Sequence, residues 1–157
     1  MPASPSRPLA DRWHLIIATV AGTGYIPLAP GSWGSLIGAV LFWFLAPNPT
    51  WILALMTAII FFLGVWSSTH IENTTNTTDP GLIVIDEVAG MWFVLIFVPQ
   101  SFVHYLFAFI LFRIFDVLKP PPANQLQSVH KGWGVMLDDI AAGVYAVILM
   151  LIGMWIF

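Results

Sequence analysis

The sequence predicts an all-α protein: a polytopic membrane helical bundle with four or five membrane helices and a polar site on its cytoplasmic side. Three observations carry this expectation. Of its 157 residues, 59% are hydrophobic and 8% are charged, against roughly 25% charged in an average soluble domain. Apolar segments of near-membrane length recur along the chain, which separates them from a single removable targeting sequence. Short proline-marked connectors join these segments in pairs, as in antiparallel helical hairpins.

Taken in order, residues 1–12, MPASPSRPLADR, lack an apolar core and are expected to form a polar tail. No signal peptide is visible, and residues 13–157 then make one integral-membrane domain. WHLIIATV at 13–20 is too short to cross and is expected at the interface. Residues 34–46 are short for a span and are expected to tilt or re-enter. Residues 51–70 are long enough. Residues 82–98 qualify apart from Asp86 and Glu87 near their start, 102–118 apart from Arg113 and Asp116 near their end, and 138–157 apart from Asp138 and Asp139. A spanning helix needs about 20 mainly apolar residues, with roughly 17 as a lower bound.

PNPT at 47–50 and PQS at 99–101 are the tight turns, so the ends remote from them share one side of the membrane. Every ionisable group able to do chemistry falls on that side. Arg7, Arg12, Arg113, Lys119 and Lys131 lie there too, while the opposite turns and the C-terminal end hold no Lys, Arg, Asp or Glu. The bias of basic residues toward cytoplasmic loops places that face inside.

Cysteine is absent and the net charge is −3. This excludes disulfides, thiolate metal sites and cysteine phosphatase chemistry. No basic run tracks a nucleic acid backbone, so nucleic acid is not an expected partner.

Five of the eight acids fall into three groups: IDEVAG with Asp86 and Glu87, RIFDVLK with Asp116, and LDDIAAG with Asp138 and Asp139. Carboxylates near a bilayer are costly and repel one another, so a cation is expected among them. Mg²⁺ suits them, because it binds through one or two carboxylates together with water and substrate phosphate. A plainer reading is capping: Asp138 and Asp139 at the start of a helix face the positive end of its dipole. Capping does not account for Asp116 near a helix end.

Arg113, Asp116 and Lys119 stand three residues apart on nearby parts of one helical face, either as a salt-bridge ladder or as phosphate ligands beside a metal-binding Asp116. PPP after Lys119 stiffens the helix exit. GTGYIPLAPGSWGSLIG can offer N–H groups to an anion at a helix start. Its Gly34 and Gly38 form a GxxxG pair suited to helix packing. HKGWG at 130–134 reads as a hinge or a close approach to substrate. His14 and His104 are isolated and read as interface or packing residues, and the eight tryptophans read as interface anchors.

PLAPGSWGSL, DPGLIVIDEVAGMW, FRIFDVLKPPP and GWGVMLDDIAAG, in that order and spacing, resemble the phosphatidylglycerophosphatase A family of bacterial inner-membrane lipid phosphatases. The resemblance implies Mg²⁺-dependent hydrolysis of phosphatidylglycerophosphate, a membrane phospholipid, to phosphatidylglycerol and inorganic phosphate at the cytoplasmic face. It places the family's acidic pair on Asp86 and Glu87, its FRxxDxxKP block on Arg113, Asp116, Lys119 and Pro120, and its second acidic pair on Asp138 and Asp139. The metal ligands expected are Asp86, Glu87, Asp116, Asp138 and Asp139, with Arg113 and Lys119 on substrate phosphate.

Lys131 stands where relatives look to carry glycine and stays outside the expected set; PPAN replaces a more apolar stretch after the KP. Water attack and an aspartyl-phosphate intermediate are both open. A phospholipid-synthesis phosphotransferase would share Mg²⁺ and acids, but the spaced aspartates of the CDP-alcohol phosphotransferase pattern are absent. A small transporter or channel would line a path across the membrane with polar groups, whereas these charges gather at one mouth.

Overall fold

A computed structural model describes residues 9–129 and 131–156 of the chain. Residues 1–8 of the expected tail, with Arg7, and His130 of the HKGWG stretch lie outside the described residues. Seven α-helices, one short 3₁₀ turn and no strand are found among the described residues.

Helix α1 (Leu9–Ala18) begins inside the expected polar tail. α2 (Pro30–Leu45) has proline in its first turn, where the missing N–H costs nothing. α3 (Thr50–Thr75) outruns the expected end at residue 70. The drop in hydropathy there marks a change of surroundings rather than a helix stop, because threonine hydroxyls fold back onto the helix. Thr74 donates to His70 C=O at 3.0 Å and Thr75 to Ile71 C=O at 2.8 Å, and Asn76 ends the helix in the left-handed region at φ 51°.

α4 (Ile85–Leu95) has 11 residues, well inside the expected 82–98. Its start is set by Val84, whose N–H bonds to Ala18 C=O at 2.8 Å and ties the loop to α1. Pro99 forces the last residues into turns. α5 (Phe102–Leu118) agrees with the expected 102–118; Ser101 caps it by accepting from the His104 N–H, and Lys119 closes it at φ 42°. α6 (Ala123–Leu126) is a single turn, and α7 (Gly132–Ile156) is the last helix among the described residues.

The capping explanation of Asp138 and Asp139 is overturned by α7. It starts at Gly132, so the two aspartates lie beyond the first turn, which contains no acid. The glycines read as a hinge are helical and serve close packing. A Cβ on Gly132 would meet Val65 C=O at 2.5 Å and Thr69 N at 2.7 Å, and one on Gly134 would meet Val129 C=O at 2.6 Å. Their approach is to α3 and to the preceding turn.

α4 is buried on almost every side and packs against α2, α3, α5 and α7. Beyond its acidic first turn it is apolar all round, as suits a helix at such a centre. The GxxxG pair works as expected: a Cβ on Gly34 would touch Val84 at 3.0 Å and one on Gly38 would touch Val88 Cα at 3.2 Å, so α2 lies tight on α4. Trp92 donates from Nε1 to Gly38 C=O at 2.8 Å, which fixes the same contact.

Large side chains turn outward along α3 and α7, among them Leu55, Ile59, Phe62, Ile148 and Ile152. These two helices are long and apolar enough to cross a membrane. At 1.5 Å per residue they reach roughly 38 Å.

Candidate active site

The expected site residues collect at one end of the bundle. Asp86 and Glu87 come from the first turn of α4, Arg113 and Asp116 from the last turns of α5, Lys119 from its cap, and Asp138 and Asp139 from the early turns of α7. Small residues make the meeting possible. A Cβ on Gly143 would lie 3.3 Å from Gly90 C=O, and one on Gly90 would lie 3.1 Å from Asp139 C=O. Asp86 and Asp139 stand one turn before these two glycines. Two helices that touch through glycine therefore carry their carboxylates side by side.

Asp86, Glu87 and Asp139 each present an oxygen within 4.8 Å of the others. Asp116 and Asp138 do not join this trio but hold the cations. Arg113 Nη1 lies 2.8 Å from Asp116 Oδ2 and 3.9 Å from Glu87 Oε1. Lys119 Nζ lies 2.5 Å from Asp138 Oδ2. The salt-bridge ladder along α5 is thus only half formed, since Lys119 reaches across to α7. Burial alone would lower the Lys119 pKa, but its hydrogen bond to Asp138 and the surrounding carboxylates outweigh that and hold it above the ordinary lysine value.

The five expected carboxylates share this end with Arg113 and Lys119. Four of the acids, Asp86, Asp116, Asp138 and Asp139, are buried. Asp86 Oδ1, Glu87 Oε2, Asp138 Oδ1 and Asp139 Oδ2 are buried without a hydrogen-bond partner. Buried carboxylate oxygens are normally satisfied, and an uncompensated buried charge is among the costliest arrangements a protein can hold. A hard cation removes both deficits, because it coordinates oxygen and supplies positive charge. The donor set is therefore chemically suited to a metal ion.

Two residues of the site, Gly31 and Ser35, carry no charge and were not singled out individually in the sequence. Arg113 Nη1 donates to Ser35 Oγ at 3.3 Å, and Ser35 Oγ donates to Gly31 C=O at 2.9 Å. A Cβ on Gly31 would collide with the Glu87 carboxylate and meet the Arg113 guanidinium at 3.1 Å. The first turns of α2 thus back the acid and its arginine. The available signal was the PGSWGS spacing, which puts Gly31 and Ser35 one turn apart.

Asp79 is another neighbour, in the DPG turn before α4. It accepts from Gln127 Nε2 at 3.0 Å, and its N–H donates to Glu72 Oε1 at 2.9 Å. Lys131 is exposed and adopts φ 59°, the left-handed conformation that glycine takes at least cost. Ala123 of the PPAN stretch is buried and Asn124 is exposed. His14 is buried between α1 and α3, where it stacks on His70 with ring centroids 3.8 Å apart, and His104 lies at the α5 cap with Nδ1 2.6 Å from Ser101 Oγ. Both histidines act in packing or at a helix end.

Comparison with known proteins finds relatives along most of the chain. Among curated proteins, the chain is 38% identical over 138 residues to the phosphatidylglycerophosphatase A of Haemophilus influenzae, covering 86% of this chain and 85% of that one. It is 38% identical over 139 residues to the Escherichia coli protein of the same name, covering 87% and 80%. A Bacteroides thetaiotaomicron protein provisionally named a phosphatidylinositol-3-phosphatase is 35% identical over 150 residues, 90% of this chain and 94% of that one. No solved structure matches the chain. The family model described as Phosphatidylglycerophosphatase A matches residues 16–154, and the chain belongs to that family.

Proposed function

We propose that this protein is a Mg²⁺-dependent phosphatidylglycerophosphatase of the bacterial cytoplasmic membrane, hydrolysing phosphatidylglycerophosphate to phosphatidylglycerol and inorganic phosphate. The observation that carries the reading is the set of four buried, unpartnered carboxylate oxygens beside Arg113 and Lys119. A transferred phosphoryl group needs charge neutralised on its oxygens and a positioned nucleophile; this end of the bundle offers two cations for the first and carboxylates that could hold a metal and its water for the second. Family membership and the two named relatives support the substrate.

Asp86, Glu87 and Asp139 would hold the metal, with Asp116 and Asp138 adjoining. When bound, Mg²⁺ supplies Lewis-acid polarisation of the phosphoryl oxygens and lowers the pKa of bound water. Arg113 offers its planar fork to two phosphate oxygens and Lys119 a point charge to a third. Asp116 and Ser35 aim the guanidinium, and Asp138 aims the ammonium. Water adds to phosphorus, the bond from phosphorus to the lipid glycerol oxygen breaks, and a carboxylate passes the water proton to the departing oxygen.

In the membrane arrangement proposed, α2, α3, α5 and α7 cross and α4 is enclosed by them. The site then faces the cytoplasm, where Arg12 and Lys131 also fall. The Bacteroides relative's name favours a second substrate, a 3-phosphorylated phosphatidylinositol. Phosphate release by purified protein from both lipids, each over a range of Mg²⁺, separates them. The reading expects phosphatidylglycerophosphate to have the higher kcat/KM, and the reverse order would reassign the substrate.

A further inference from the structure

Between α2 and α5 lies an apolar groove of about 460 Å³. On α2, Trp43 and Ala39 line it at four-residue spacing, and the next position in that row is Ser35. On α5, Phe102, Leu106 and Phe109 line it, and the next turn of that face brings Arg113. Both walls thus run without interruption into the Arg113–Ser35 hydrogen bond of the phosphate site. From Ser35 to Trp43 the groove follows about 12 Å of helix, close to the roughly 15 Å depth of one leaflet's hydrocarbon. Its far end is fixed by the edge-on Trp43–Tyr105 pair, with centroids 5.2 Å apart, and by Gln100 Nε2 donating to Trp43 C=O at 2.8 Å.

We infer that this groove is a binding site for one acyl chain of the phosphorylated lipid substrate. The proposal rests on the lipid-phosphatase reading above and extends it from the head group to the tail. A lipid whose phosphate lies at Arg113 has its glycerol at the mouth and a chain directed along the α2–α5 cleft. Bulk lipid and protein wall are equally apolar, so the seat draws on packing and continuity with the head group rather than on removal from water. It would align the phosphoryl group by anchoring the molecule at two points.

The test compares phosphatidylglycerophosphate carrying dioleoyl chains with the dihexanoyl form, in wild type, Val40→Trp, Leu106→Trp and the control Ile59→Trp. Val40 and Leu106 lie on the two walls and are half exposed, whereas Ile59 faces outward from α3. Each groove variant should lower the long-chain to short-chain ratio of kcat/KM by about fivefold, mainly through KM, as expected for lost ground-state binding. Ile59→Trp should leave the ratio unchanged.

Photolabelling with phosphatidylglycerophosphate bearing a mid-chain diazirine should mark residues 36–44 and 102–109 above the outward faces of α3 and α7. Uniform labelling, a ratio unmoved by both groove variants, or Val40→Cys cross-linking between two copies would overturn the proposal. If wild-type protein cleaves neither lipid, the phosphatase reading fails, and the labelling pattern still decides the groove.

Discussion

Glu87 stands between two opposed neighbours: one oxygen lies 3.9 Å from the Arg113 guanidinium, and the other is buried without a partner beside Asp86 and Asp139. Removing charge from this trio should weaken metal binding before it disturbs the fold. Asp86→Asn and Asp139→Asn should each lower kcat by on the order of 10² or more and raise the Mg²⁺ needed for half-maximal activity. Titration of chelator-treated protein measures both. Arg113→Lys keeps the charge but loses the fork, and kcat/KM should fall roughly 10- to 100-fold, the range for a charge-assisted hydrogen bond. Gly31→Ala brings a methyl group against the Glu87 carboxylate and should impair activity although it adds no charge. The charged members of this site were legible because ionisable groups are rare in so apolar a chain. Gly31 and Ser35 were not, since their part depends on which helix faces α2, and spacing within one helix does not reveal that.

At the scale of the element, glycine decides where the acids meet. A side chain at Gly90 would strike the Phe112 ring at 2.7 Å and crowd the Asp139 backbone at 3.1 Å. Gly90→Leu should separate α4 from α5 and α7, cost about 1–3 kcal/mol by overpacking, and abolish activity with every carboxylate intact. Thermal unfolding in detergent together with phosphate release reads both effects. Hydropathy located α2, α3, α4, α5 and α7 but misplaced several ends. α3 continues through polar threonines that bond to their own helix, α4 stops early at its flanking turns, and α7 starts at Gly132 because glycine fits against α3. The start of α7 is set by tertiary contact, which composition does not encode; the ends of α3 and α4 turn on local bonds and turns that hydropathy does not register. The DD pair therefore owes its position to the site rather than to a helix cap.

For the whole molecule, polarity is divided by place. One end gathers acids, arginine and lysine, and long outward faces of α3 and α7 carry apolar side chains. If α7 crosses the bilayer as proposed, Ile152→Arg should impair insertion by roughly 2.5–3.5 kcal/mol if the position lies near mid-membrane, and less if it lies nearer an interface. A membrane-fractionation assay compares it with the wild type. The central claim, a metal-dependent lipid phosphatase built on these carboxylates, is tested most directly by phosphate release from phosphatidylglycerophosphate. Detergent-purified, monodisperse wild type, Asp86→Asn and Asp139→Asn would be compared with Mg²⁺ and with EDTA. The account predicts release by wild type with Mg²⁺, its loss in EDTA, its return on adding Mg²⁺, and little release by either variant. Undiminished release in EDTA, or by both variants, would contradict it.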